Sequence, residues 1–372
     1  MKTSKKMIYS SILIILVLIL LFFLEANKTR FGMAYTVLQK GMILSVVAVS
    51  MNLVTGFTGL FSLGQAGFMA IGAYITAIFL IPLDNIQDVY YISGLSPVIL
   101  NFKTWLESGP AFLQVLIPYA GLIIGGLVAA LFAALIGIPV LRLKSDYLAI
   151  ATLGFSEIVR AVISSPQLDT ITNGSYGLKK IQGFSSIFQT FSIALVCILF
   201  MVLLLRSTFG RAFRAIREDE VAAEAMGINL FHHKQLSFVI GSFFSAVSGG
   251  MLAMFMRSID SKTFSVSITY DILLIVVIGG IGSVTGSVFA ALLVTAAKEW
   301  WLRFFDNPFF IGDFQVPLFK TGFRMVVFSI ILLLVVLFYQ RGIMGKNEFS
   351  WDRLEKRFLK RKASKKGGSK HE

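Results

Sequence analysis

The sequence predicts an all-α, polytopic membrane protein of about ten transmembrane helices with glycine-rich breaks and both termini in the cytoplasm. Three observations predict it. The 372-residue chain is 56% hydrophobic, holds 35 phenylalanines and has a mean hydropathy of +0.79. Its charged residues make up 15%, against about 25% in soluble domains. Apolar runs recur at lengths that suit a bilayer, where about 20 residues rising about 1.5 Å each cross about 30 Å of hydrocarbon. Finally, with the N-terminus inside, 21 of the 34 lysines and arginines fall in cytoplasmic segments, the asymmetry of the positive-inside rule.

The predicted spans lie near residues 8–24, 36–54, 62–81, 114–140, 147–164, 190–206, 236–256, 270–282, 284–301 and 322–340. The first follows MKTSKK and resembles the apolar region of a signal peptide, but no small-residue cleavage site follows it, so it is read as retained. It forms an N-terminal unit, 1–34, ahead of a transmembrane domain at 35–340 and a basic cytoplasmic tail at 341–372. The eighth run is short, and only Gly282 and Ser283 part it from the ninth. Trp300, Trp301 and Arg303 at the end of the ninth fit an aromatic belt with a snorkelling charge.

The second and third spans meet in MNLVTGFTGLFSLGQAGFMAIGAY, residues 51–74, which carries Gly56, Gly59, Gly64, Gly67 and Gly72. Each glycine costs about 1 kcal/mol in a helix relative to alanine, and unpaired backbone in hydrocarbon costs several more. Such backbone must be buried against protein or line a cavity. Asn52, Thr55 and Gln65 around this break either line a translocation path or satisfy the backbone that the glycines free. A second break, GGIGSVTGS at 279–287, reads as a tight turn, and one break in each half hints at an internal repeat. On the fifth span Glu157 and Arg160 share a face at i,i+3 spacing and are expected to pair. Two readings stand: an intramembrane functional charge, or a structural pair facing the bundle interior.

A net charge of +14 would suggest nucleic acid in a soluble protein, but the bias of the basic residues to one side of the membrane argues against that class. The tail, with KRFLKRKASKK, is either held near anionic lipid headgroups or solvated. The lone Cys197 lies within a span and builds no disulfide framework. Catalytic groups are missing: there is no HExxH, no Cys/His ligand spacing for a metal, and only His232, His233 and His371. No GxxxxGK followed by Ser or Thr occurs, so this chain is expected to bind no cofactor, and any ATP that drives it must be held by another chain.

Between the sixth and seventh spans lies RSTFGRAFRAIREDEVAAEAMGINLFHHK, within a cytoplasmic segment at 206–235. Ser207 or Thr208 can cap a first helix carrying Arg211, Arg214 and Ile216. Glu218, Asp219 and Glu220 suit the start of a second, kept thin by Ala222, Ala223 and Ala225, and Gly227 is placed to end it. A short small-faced helix suits a groove in a soluble partner; an ordinary charged connector fits equally well.

GRAFRAIREDEVAAEAMGIN resembles the coupling segment of the branched-chain amino acid ABC permeases, LivM type. Four further stretches are similar to that family in the same order: residues 51–74, LRLKSDYLAIATLGFSEIVR at 141–160, TNGSYGL at 172–178 and YDILLIVVIGGIGSVTGSVFAALL at 270–293. The resemblance implies a multi-pass protein of a prokaryotic inner or plasma membrane that imports leucine, isoleucine and valine. It implies a second, LivH-type permease, two ATP-binding subunits that hold the ATP and magnesium, and an external amino-acid-binding protein. Arg211, Arg214, Arg217, Glu218, Asp219, Glu220, Ala223 and Gly227 would then lie in the segment that transmits ATP-driven closure. Gln65 stands where many relatives have histidine and Ser287 where many have proline, and relatives also import amides or urea. An ion-coupled carrier is a further alternative, for which Glu157 beside Arg160 is a poor proton or sodium site. Loops 82–112 and 165–189 are long enough to meet a docked binding protein.

Overall fold

A computed structural model describes residues 3–91, 94–143, 145–302, 310–311, 314–315, 323–338, 342–345 and 348. The tail beyond residue 348 lies outside the described residues. The helices are α1 (Thr3–Ala26), α2 (Gly32–Met51), α3 (Gln65–Leu80), α4 (Ile86–Val89), α5 (Pro97–Glu107), α6 (Ala111–Val140), α7 (Ser145–Ile163) and α8 (Asp169–Thr172). They continue with α9 (Ile187–Arg206), α10 (Thr208–Glu218), α11 (Glu220–Ala225), α12 (Leu230–Met256), α13 (Val266–Gly279), α14 (Val284–Glu299) and α15 (Phe323–Phe338). A ribbon pairs Phe310–Ile311 with Phe314–Gln315.

Each predicted apolar run is occupied by a helix. By length and composition, four helices among the described residues can cross a membrane alone: Gly32–Phe57, Gln114–Val140, Ile187–Arg206 and Leu230–Met256. Two bent pairs, Gln65–Leu80 with Leu83–Val89 and Tyr147–Ile163 with Pro166–Thr172, raise that to six if each is one span. Helices α13 and α14, at 14 and 16 residues, are shorter than about 20.

The bundle centres on α2 and α12, whose most apolar stretches are 83% and 78% buried, against 39% for α6 and 28% for α9. The peripheral helices therefore carry the outward apolar surface. α12 packs on α3 and α6, and α14 packs on α2. Small residues permit this closeness: a Cβ on Gly72 would strike the Ala246 backbone, and one on Gly249 the Met69 backbone. At one end of the bundle the loops are clasped. Asn173, in a left-handed conformation at φ 55°, donates to Val89 O at 2.9 Å and Gly177 O at 2.8 Å. Leu178 then bridges Ile259 in antiparallel fashion. The TNGSYGL stretch is thus the knot that ties three connections together.

Candidate functional site

The two glycine-rich breaks are built differently and meet. At the first, α2 widens into a π-helical turn, Asn52–Phe57, closed by Thr58 N–H to Leu53 O at 3.2 Å. The chain then runs non-helically to Gln65, and its backbone donors find partners one by one. Leu60 N–H reaches Val54 O at 3.0 Å, while Leu63 N–H reaches the Thr152 hydroxyl of α7 at 3.0 Å. Gly67 N–H reaches Ser156 Oγ at 3.2 Å. At the second break α13 stops at Gly279, Gly280 and Gly282 take φ of 114° and 92°, and Ser283 caps α14 by accepting from Gly286 N–H at 3.1 Å. The tight turn expected at 279–287 is present.

Asn52 joins them. Fully buried, it donates through Nδ2 to Ser283 O at 2.9 Å, Ser287 Oγ at 2.7 Å and Gly280 O at 3.3 Å, while Oδ1 accepts from Gly282 N–H at 2.8 Å. Backbone freed at the second break is therefore satisfied by a side chain from the first. Gly56 makes room, since a Cβ there would run into Asn52 Oδ1 and lie 2.7 Å from Gly282 N. On its other side the second break meets residues near the C-terminus. Ile343 and Met344 N–H donate to Ile278 O and Gly279 O at 2.7 and 3.2 Å. The Glu348 carboxylate accepts from Val284 N–H at 2.7 Å and Thr285 N–H at 3.1 Å, at the positive end of α14.

The 206–235 segment folds as two short helices. Ser207 precedes α10 without a side-chain cap; its hydroxyl instead donates back to Leu204 O at 2.6 Å, so the expected N-cap bond from Ser207 is replaced by closure of α9. Arg214 completes that closure, donating to Leu205 O at 2.8 Å and Gly210 O at 3.1 Å. Asp219 caps α11 by accepting from Val221 and Ala222 N–H at 2.9 and 3.0 Å. Gly227, at φ 83°, ends α11: Gly227 N–H bonds Glu224 O and Ile228 N–H bonds Ala223 O, the paired bonds of a Schellman motif. Glu220 pairs with Lys234 of α12 at 2.6 Å. Phe213, Ile216 and Ala223 turn inward, whereas Arg211, Glu218, Val221 and Met226 stand exposed.

Arg217 carries this segment to the breaks. A Cβ on Gly59 would lie 3.3 Å from Arg217 Cα, and one on Gly282 would lie 2.6 Å from Arg217 Nη1. The end of α10 is thus seated against glycines of both breaks at once.

The remaining sequence-predicted residues divide. Gln65, buried, accepts from Ser245 Oγ at 2.6 Å, and Ser245 is 2.8 Å from Ser50 Oγ, a polar chain linking α3, α12 and α2. Thr55 Oγ1 is buried with no hydrogen-bond partner among the described residues. Arg160 binds Glu157 through Nε and Nη2 at 2.9 and 2.5 Å, so the expected pair forms. It does not face the interior of this chain: the two side chains are 36% and 34% exposed, on a flank of α7 whose packed face carries Leu148, Thr152, Ser156 and Ile163. The reason is helical phase, since Thr152 and Ser156 already occupy the face that meets the first break.

Sequence reasoning missed Ser245, Ser283, Thr152, Ser156 and Glu348 as partners. Small hydroxyls four residues apart in LAIATLGFSE were the one local signal; Glu348 gave none, lying 64 residues from the amide it caps.

A family model described as branched-chain amino acid transport system, permease component, matches residues 33–337. The chain is 32% identical to the high-affinity branched-chain amino acid transport permease LivM of Escherichia coli K12, over 69% of this chain and 61% of that protein. It thus spans about three fifths of that relative's length. It is 24% identical to a probable LivM of Methanocaldococcus jannaschii over 84% of this chain and 94% of that one. Against LivH of Salmonella typhimurium the identity is 23%, over 83% and 93%. No solved structure matches the chain. With that match covering most of its length, including both breaks and the segment between α9 and α12, the chain belongs to the permease-component family of branched-chain amino acid transport systems.

Proposed function

We propose that this chain is a permease subunit of an ATP-driven importer of leucine, isoleucine and valine, in a prokaryotic inner or plasma membrane. It crosses the bilayer ten times, through α1, α2, α3, α6, α7, α9, α12, α13, α14 and α15, with both termini in the cytoplasm. It pairs with a LivH-type permease, two ATP-binding subunits that hold ATP and magnesium, and an external amino-acid-binding protein.

The observation that carries this reading is Arg217 seated against Gly59 and Gly282. When the ATP-binding subunits close, they push α10 and α11 through exposed Val221 and Met226. Arg217 passes the displacement to both breaks, and Asn52 makes the breaks move as one. Rocking of the helices on either side then exchanges outward and inward states, provided the contacts of α10 differ between them. The flank of α7 with Glu157 and Arg160 faces the second permease or the aqueous path, because a charge pair a third exposed is costly against hydrocarbon.

The test is uptake of labelled leucine at low external concentration, with and without this chain, with valine, alanine and urea as competitors. Loss of a valine-sensitive component supports the reading; unchanged leucine uptake overturns the substrate assignment.

A further inference from the structure

The helix α5 is built inside out for a water-exposed connector. Its buried position is a lysine: Lys103 is 3% exposed, with Nζ donating to Ile78 O at 3.1 Å and lying 3.9 Å from Glu107 Oε1. Three of its outward positions are large and apolar: Val98, Phe102 and Trp105 are 77%, 47% and 67% exposed.

At about 100° per residue α5 divides into three flanks. Ile99, Lys103 and Leu106 face the protein, and Leu106 packs against the core. Asn101, Thr104 and Ser108, all exposed, form a polar flank, with Leu100, 36% exposed, beside Glu107 where it borders the buried face. Val98, Phe102 and Trp105 form the third flank, wholly apolar and unpartnered apart from ring contacts. A helix lying along a membrane surface shows this division, with one edge in water and one among acyl chains.

What covers the apolar flank is indicated by its neighbours. The Phe102 ring meets Phe79 edge-on at 5.9 Å, in the last turn of α3, and Trp105 stacks obliquely on Phe102 at 6.0 Å. Phe79 Cβ would be 3.3 Å from a Cβ on Gly121 of α6. From that point α6 displays exposed Ile123, Leu127 and Leu131 along a stretch long enough to cross a bilayer. Gln114 Nε2 donates to Glu107 O at 3.1 Å, fixing the end of α5 beside the start of that stretch. The apolar flank is thus continuous with the outward apolar surface of a helix long enough to cross a bilayer, and it ends in a tryptophan, the side chain favoured where acyl chains give way to headgroups.

We propose that α5 lies in the membrane interface, with Val98, Phe102 and Trp105 inserted into the outer part of the acyl-chain layer. The partner is the lipid surface itself, which removes this flank from the loop surface available to a soluble protein.

Depth-dependent fluorescence quenching tests it. The full chain, with Trp300→Phe, Trp301→Phe and Trp351→Phe leaving Trp105 as the sole tryptophan, is reconstituted in phosphatidylcholine vesicles. The expected result is at least a twofold loss of emission with lipid brominated near the headgroup end of its chains, less with bromine near the chain terminus, and little with aqueous iodide. Quenching by iodide without quenching by brominated lipid overturns the proposal and gives the flank to a soluble partner. Insensitivity to both also overturns it, since protein would then cover the ring. If the triple substitution does not fold, Trp105→Cys carrying a nitroxide reads the same position, because the native Cys197 is buried. Collision with oxygen should then exceed collision with a nickel chelate, and the reverse order overturns the proposal.

Discussion

Asn52 Nδ2 and Ser287 Oγ lie 2.7 Å apart across 235 residues of chain, one in each glycine-rich break. Asn52 is the only side chain that reaches the backbone of the second break from the first among the described residues. It ties two weak points of the bundle into one unit.

Removing that tie is expected to be costly. Asn52→Ala strands Gly282 N–H in a buried site and takes one of several donors from Ser283 O and Gly280 O, and at about 1–3 kcal/mol for a stranded group the loss should reach about 3 kcal/mol. Ser287→Ala deletes a single partner and should cost about 1 kcal/mol. Thermal unfolding of the purified chain in detergent checks both; equal small shifts would contradict the clamp.

The Glu348 cap makes a second case. Glu348→Gln keeps the shape but removes the charge from the α14 N-terminus, and should destabilise by about 1 kcal/mol. Limited proteolysis of the C-terminal segment is the sensitive readout, and faster cleavage is expected. An unchanged cleavage rate would remove Glu348 from the account.

Much of this was legible in the sequence, and the limits have a physical pattern. Local rules placed Glu218, Asp219 and Glu220 at a helix start and Gly227 as a stop because helix ends are set by neighbours in sequence. The breaks were visible as glycines, since glycine mid-span has few other reasons to be there. Their partners were not visible: Asn52 could have bonded its own break, and only the tertiary packing of α2 on α14 brings it to Gly282 instead. The Ser207 hydroxyl donates to Leu204 O of α9 and accepts from no amide of α10, a local contest between closing one helix and capping the next. The outward flank of α5 was hidden because the loop 82–112 was read by length alone.

Lys103 should give stability an unusual pH dependence. Burial lowers its pKa from 10.5 to about 8, with Glu107 opposing the shift. Between those values the unfolded chain binds more protons than the folded one, so stability rises with pH across that window, and the burial penalty is fully present below its lower end. Unfolding midpoints of the native chain relative to Lys103→Met should therefore improve between pH 8 and pH 10. A constant difference would show that Lys103 does not titrate in that range.

For the ion pair on α7, Arg160→Gln leaves the Glu157 charge unpaired, whereas Glu157→Gln with Arg160→Gln leaves none. The single substitution should lower uptake and permease pairing more than the double. Equal losses would mean that the pair is screened by water on both sides.

The most direct test of the coupling path is Gly282→Ala in the complete transporter in proteoliposomes, with leucine uptake and ATP hydrolysis measured together. The added methyl must displace Arg217 Nη1, 2.6 Å from the new Cβ, and strains a backbone at φ 92°. The expected result is ATP hydrolysis that continues while leucine uptake falls at least tenfold, in a complex that still assembles. Uptake per ATP equal to that of the native protein would contradict transmission through Arg217 and the second break.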